Sequence, residues 1–361
     1  MKLDLIPVSE WGIFTLPRPM VIAGPCSAES EGQILETAKG LSELGIHMFR
    51  AGIWKPRTHP GCFEGIGMPG LKWLQRVKEE TGMKVCTEVA TEKHVMMCLA
   101  AGVDMLWIGA RTSANPFLMQ EIADALRGSD IPVLVKNPVN PDIDLWVGAL
   151  ERLNLAGVKK LGVIHRGFST SEKMGYRNDP GWKSVIEMRT RFPELPFFAD
   201  PSHMGGKREY LLELSQRSLD LGLDGLMIES HCNPDVALSD AKQQLTPDGL
   251  KELLSQIVVR DNYSDSLEYK EGMDQLRAQI DILDENILGM LKSRMNVSRK
   301  MGQYKKDHNV AILQASRWDQ VLQEMVNKGA ELGLSERFIE GVFNAIHEES
   351  VRAQNEVLEQ K

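Results

Sequence analysis

Between Pro19 and Glu229 short apolar runs recur, separated by longer stretches in which apolar residues return every three or four positions. The short runs are Met20 to Ala23, His47 to Arg50, Lys84 to Glu88, Met105 to Ile108, Val133 to Lys136, Leu161 to His165, Phe197 to Asp200 and Leu226 to Glu229. Runs of this length read as strands, whereas Gly32 to Leu44, Glu92 to Ala101 and Pro116 to Leu126 carry helical periodicity. Eight alternating units predict an α/β fold, a closed (β/α)8 TIM barrel over residues 1–260, with an open doubly wound sheet as the alternative.

Beyond Asp261 the pattern changes. The polar stretch DNYSDSLEYKEG (261–272) suits a linker. From Met273 to Lys361 there is no proline, and Leu276, Ile280, Leu283, Ile287 and Leu291 form a helical stripe. Weak breaks near Lys306 to Ala311 and Gly329 to Ser335 divide this segment into three helices, with Ser335 and Glu336 suited to start the last. A small all-α three-helix domain is expected here. No internal repeat or low-complexity tract interrupts either part.

The composition is that of an ordinary soluble chain: 361 residues, 42% hydrophobic and 25% charged. A net charge of −8 argues against non-specific nucleic-acid binding, so any anionic ligand must be drawn in by local cations. No run is long and apolar enough to span a membrane, and Met1 to Trp11 lacks the core of a signal peptide, which places the protein in the cytoplasm. The five cysteines show no paired spacing and read as reduced thiols.

Chemistry concentrates where each strand ends. GPCSAES carries Cys26, and RAGIWKPRTHP carries Arg50, Lys55 and Arg57 with Thr58 beside them. Pro56 stiffens that loop. Later strands end at Glu88, at Arg111 in GART, at Lys136 in VKNP, at Arg166 in HRG, at His203 in DPSH and at Glu229 in IESHCNP. In a barrel all of these open onto one face. Six cations exceed the needs of one phosphate, so two phosphorylated substrates, or a phosphate and a carboxylate, are implied. Cys26, His203, Glu229 and Asp240 combine a soft sulfur, an imidazole and two carboxylates, a set suited to a divalent transition metal of the Mn, Fe, Co or Zn class. His231 is a rival ligand, Asp240 could instead cap a helix, and Cys26 could be a small core residue. A lysine on a barrel strand also admits a Schiff-base aldolase using Lys136.

GPCS, RAGIWKPRT, GART, VKNP, HRG, DPSH and IESHCNPDVALSDAKQQL, in this order, resemble the 3-deoxy-D-arabino-heptulosonate 7-phosphate (DAHP) synthase family, in its branch related to 3-deoxy-D-manno-octulosonate 8-phosphate (KDO8P) synthase. The resemblance implies condensation of phosphoenolpyruvate with erythrose 4-phosphate. It makes Cys26, His203, Glu229 and Asp240 the metal ligands. Arg50, Lys55, Arg111, Lys136 and Arg166 would then hold phosphoenolpyruvate, and Arg57 and Thr58 the erythrose phosphate. Lys55 or Glu88 would handle a proton. Two details favour this activity over the KDO8P sister: KPRT matches the tetrose-phosphate enzymes, and Cys26 stands where metal-independent KDO8P enzymes place asparagine.

The C-terminal segment, through LRAQIDILDENIL and HEESVRAQ, resembles the all-helical chorismate mutase family. Arg294, Lys305 and Gln354 would be catalytic, with Arg277, Arg317 and Ser350 binding chorismate. Arg294 and Lys305 lie on one helix face ~16 Å apart, while Arg277 lies ~25 Å from Arg294 along the same helix, too far for one small ligand. Arg277 therefore belongs to a partner chain's site or to none, and a homodimer through the helical domain is expected. The sequence departs from the family at Gln314, where an acidic residue is common, and at Trp318, where a glutamate contacts the substrate hydroxyl. A tail that only senses chorismate or prephenate, regulating the barrel by feedback, is the non-enzymatic alternative.

Overall fold

The computed structural model describes residues 2–14, 19–46, 48–55, 63–170, 175–261, 264–313 and 315–359, with the side chains of 315 and 316 left aside. Arg57, Thr58 and Gln314 therefore lie outside the described residues. The chain forms two compact units, Met1–Asn262 and Tyr263–Lys361.

The first unit is a closed barrel of eight parallel strands in chain order. They are β1 (Met20–Gly24), β2 (Met48–Arg50), β3 (Lys84–Val89), β4 (Met105–Ile108), β5 (Val133–Lys136), β6 (Leu161–His165), β7 (Phe197–Ala199) and β8 (Gly225–Glu229). β8 pairs with β1 from Met20↔Gly225 to Gly24↔Glu229, which closes the ring and excludes the open sheet. Around it lie α1 (Glu31–Ser42), α2 (Pro69–Thr81), α3 (Glu92–Ala100), α4 (Ala110–Ser113), α5 (Pro116–Ala125), α6 (Ile143–Leu155), α7 (Trp182–Arg191), α8 (Pro201–Gly205), α9 (Leu211–Asp220) and α10 (Pro247–Gln256). Side-chain caps set several starts: Ser30, Thr91, Asn115, Asp142 and Thr246 each accept a backbone N–H of the first turn.

The period of two along each strand divides the core. Ile22, Met48, Cys86, Met105, Trp107, Leu134, Ile164, Phe198 and Met227 fill the barrel interior, with Trp11 from the N-terminal segment packed among them. Their strand neighbours, such as Ala23, Phe49, Leu106 and Val135, face the helices. Two residues beyond the interior apolar positions stand Arg50, Glu88, Lys136, Arg166, Asp200 and Glu229. The alternation that builds the core thus turns these polar residues inward at the C-terminal mouth.

Of the boundaries that differ from expectation, those of β7 and of the linker matter most. Asp200 is not the end of a strand; its side chain accepts the His203 backbone N–H and caps α8. The linker is shorter than the polar stretch 261–272, because α11 (Leu267–Asp307) starts at Leu267 behind the cap Ser266. Ser266 satisfies the Tyr269 N–H, so polar composition alone did not prevent helix.

The second unit consists of α11, α12 (Ala315–Glu331) and α13 (Glu336–Glu359). Gly302 of α11 lets α13 approach closely, since a Cβ there would stand 3.0 Å from Gln354 Cα. Within the unit Leu276, Ile280, Leu283 and Ile287 are more than half exposed, whereas Met295 and Ser298 further along the same helix are buried.

Candidate functional site

The barrel mouth gathers its charges into connected pairs. The Arg50 guanidinium is fully buried, donates to Glu229 Oε1 at 3.1 Å and lies 4.9 Å from the centre of the Trp107 ring. Its Nε and second terminal nitrogen are buried without a hydrogen-bond partner, an arrangement that suits an incoming anion. Lys136, 5% exposed, sits 2.6 Å from the carboxylate of the fully buried Asp200. Burial alone would raise the Asp200 carboxyl, but the His203 imidazole, Lys136 and Arg50 outweigh it and hold the group well below the usual range. An ammonium locked to a carboxylate is a poor amine nucleophile, which counts against the Schiff-base alternative.

Among the described residues, Cys26, Glu229 and Asp240 bring one ligand atom each within 4.8 Å of one another. His203 borders this group, with Nε2 3.7 Å from Glu229 Oε1 and Nδ1 2.8 Å from Asp200 Oδ2. The Cys26 thiol donates to Asp240 Oδ2 and accepts from Lys55 Nζ, both at 3.3 Å. Burial, reinforced by Glu229 and Asp240, pushes that thiol up to about 12. Sulfur, imidazole and two carboxylates crowded in this way fit a divalent cation, whose charge would offset theirs and favour the thiolate. Asp240 caps no helix; it adopts φ +50° in a turn, and burial's upward pull on its carboxyl is overcome by His203 and Arg177. His231 is turned elsewhere: its Nδ1 accepts the Asn233 N–H and its Nε2 is 3.7 Å from Glu29.

Lys55 owes its place to a glycine. A Cβ on Gly52 would stand 2.5 Å from Lys55 Cε and 2.7 Å from the Cys26 carbonyl oxygen. Glu88 accepts from Trp107 Nε1 at 3.1 Å, and Gly109 leaves room for it, since a Cβ there would stand 2.2 Å from Glu88 Oε1. Burial lowers the Arg166 guanidinium to about 10, against the pull of Asp200 and with the help of the Arg177 and Arg111 cations. Arg111 itself is exposed on α4.

Sequence reading missed the residues that join these groups. Arg177 donates to Asp240 at 2.9 Å and to Gln243 at 3.0 Å, and Gln243 donates to Glu229 Oε2 at 2.7 Å. Gln244 accepts the Cys26 N–H at 2.9 Å, and Asn137 accepts the Arg166 N–H at 2.7 Å. Asn137 in VKNP and the glutamine pair in DAKQQL stood beside singled-out residues, but nothing in the local pattern marked Arg177.

In the helical unit Arg294 donates to Ser350 Oγ, and Gln354 Nε2 donates to the Ser350 carbonyl at 3.2 Å. Gln354 Oε1 is buried without a partner. Lys305 Nζ is held 2.5 Å from the Ile312 carbonyl. Arg317 is exposed, and Arg277 pairs with Asp274 at 3.3 Å, well away from Arg294 on the same helix.

Residues 16–264 match the family model described as DAHP synthetase I family, and residues 276–355 match chorismate mutase type II. A phospho-2-dehydro-3-deoxyheptonate aldolase of Thermotoga maritima is 36% identical over 237 residues, covering 66% of this chain and 68% of that one. A 2-dehydro-3-deoxyphosphooctonate aldolase of Desulfotalea psychrophila is 30% identical over 262 residues, covering 66% and 88%. The crystal structure of the Thermotoga maritima DAHP synthase superposes with a TM-score of 0.59 at 35% identity, over 65% of this chain and 66% of that one. The chain thus spans about two thirds of the length of these Thermotoga proteins.

Proposed function

Since this chain belongs to the DAHP synthetase I family and carries a chorismate mutase type II segment, we propose that it is a bifunctional enzyme. Its barrel condenses phosphoenolpyruvate with erythrose 4-phosphate to DAHP and phosphate, and its helical unit rearranges chorismate to prephenate. The observation that carries the first activity is one barrel mouth holding both the Cys26, Glu229 and Asp240 donor group and the buried cations Arg50 and Lys136.

In this reading Arg50, Lys136 and Arg166 bind the phosphate and carboxylate of phosphoenolpyruvate, joined by Arg111 and Lys55. Cationic donors fixed in a dry pocket are already oriented when charge moves in the transition state. Cys26, His203, Glu229 and Asp240 would hold a divalent metal ion of the Mn, Fe, Co or Zn class, which when bound supplies Lewis-acid polarisation of the aldehyde. Arg57 and Thr58 are assigned the sugar phosphate. The enol carbon attacks the aldehyde, water adds to the resulting cationic carbon, and phosphate departs by C–O cleavage. Lys55, 3.3 Å from Cys26 Sγ, or Glu88 moves the proton.

For the rearrangement, Arg294, Lys305, Arg317, Ser350 and Gln354 hold the two carboxylates and ether oxygen in the reactive geometry, without covalent chemistry. The exposed stripe from Leu276 to Ile287 supports a homodimer in which Arg277 serves the partner's site. No helix among the described residues is long and apolar enough to cross a membrane, and the reading places the enzyme in the cytoplasm with small-molecule substrates. Prephenate bound to the helical unit would also regulate the barrel; equal condensation rates with and without saturating prephenate would refute this.

The test of the barrel is phosphoenolpyruvate consumption by chelator-treated protein with erythrose 4-phosphate or arabinose 5-phosphate, before and after Mn2+. Turnover of the four-carbon sugar that depends on the added metal supports the assignment. Turnover of arabinose 5-phosphate would instead favour the sister reaction.

A further inference from the structure

Trp318 and His347 lie face to face in the helical unit, ring centres 3.8 Å apart and planes within 13°. Trp318 follows Arg317 on α12, and His347 stands on α13 at i, i+3 and i+7 with Ser350 and Gln354. His347 therefore shares a helix face with the two polar residues assigned to the C-terminal ligand. Burial and the nearby Arg294 cation lower its imidazole below the ordinary value, against Glu348 on its own helix, so it is a neutral hydrogen-bonding group. Gln354 Oε1 on the same face is buried and unpartnered.

We propose that His347, clamped flat against Trp318, is a specificity-determining residue that contacts the ring hydroxyl of the dicarboxylate whose charges Arg294 and Lys305 hold. Trp318 occupies the position where the family places a hydroxyl-binding glutamate. The indole cannot accept that hydrogen bond, but it fixes a neutral imidazole that can. The stack limits the rotamers of both side chains, so less freedom is lost on binding. This inference rests on the chorismate mutase reading of the helical unit.

The experiment uses full-length wild type, H347F, which keeps an aromatic face on Trp318, and W318L, which keeps the imidazole but removes its clamp. Chorismate consumption gives kcat and KM, and calorimetry gives the affinity for prephenate and for a ring dicarboxylate lacking the hydroxyl. For H347F the expected result is a loss of about tenfold in kcat/KM and in prephenate affinity, with binding of the hydroxyl-free analogue unchanged. W318L should show part of the same loss. A structural role alone would weaken both ligands together, which would overturn the proposal, as would H347F kinetics within about twofold of wild type. Wild type that neither converts chorismate nor binds prephenate would overturn the mutase reading and this inference together; an active wild type matched by H347F overturns the inference alone.

Discussion

Replacing Lys136 by Met tests whether the paired charges at the barrel mouth hold one another in place. Lys136 and Asp200 are 5% and 0% exposed and 2.6 Å apart, so deleting the ammonium leaves a buried carboxylate short of a partner. Breaking such a pair from one side costs about 3–5 kcal/mol. Asp200 keeps the His203 imidazole at 2.8 Å and the His203 backbone N–H at 3.1 Å, which places the cost of K136M near the lower end, about 3 kcal/mol. D200N leaves the ammonium facing a neutral amide and should be destabilising as well. The double variant K136M/D200N removes both charges and should lose less than the two single losses together, with a coupling of about 2 kcal/mol. Urea unfolding followed by tryptophan fluorescence reads the barrel, because every tryptophan except Trp318 lies in that unit. A coupling below about 0.5 kcal/mol, or K136M as stable as wild type, would refute the reasoning.

Other outcomes follow from the same geometry. A strong chelator should abolish the condensation and leave the rearrangement intact, because the donor group of Cys26, Glu229 and Asp240 belongs to the barrel alone; equal loss of both activities would count against it. His165 is buried with its Nε2 at the Pro180 carbonyl, and burial lowers its pKa from 6.5 to about 4. The unfolded chain then takes up a proton as pH falls through 6.5 and the folded barrel only near 4, so stability is full above that window and falls by about 3 kcal/mol across it. H165Q should flatten that part of the pH profile in urea titrations; an unchanged slope would contradict the assignment. G52A should displace the Lys55 ammonium from Cys26 and reduce kcat of the condensation by about tenfold or more, and, because the added Cβ would also stand 2.7 Å from the Cys26 carbonyl oxygen, lower thermal stability as well; unaltered kcat would show that Lys55 does not need this seat.

The pattern of the chain was enough to locate the eight strands, because both faces of a barrel strand are apolar and the helices between them repeat every three to four residues. The same alternation places Arg50, Lys136 and Glu229 two residues past Met48, Leu134 and Met227, so their presence at the mouth was legible too. The helical start at Leu267 was not, since DNYSDSLEYKEG is low in apolar residues and only the Ser266 cap distinguishes the point where helix begins. The exposed stripe of α11 reads in sequence just as a buried one would, because periodicity reports an apolar face and not what covers it.

By itself, then, the sequence determined the fold class, the end of each strand at which chemistry gathers, and most of the charged residues found there. Tertiary structure alone decided who meets whom: Lys136 with Asp200 across 64 positions, Arg177 with Asp240 across 63, Arg50 with Glu229 across 179. The physical reason lies in barrel closure. Strand periodicity sets which way a side chain points and how far along the axis it stands, but the neighbour it touches is fixed only when β8 pairs with β1 and the ring acquires its register.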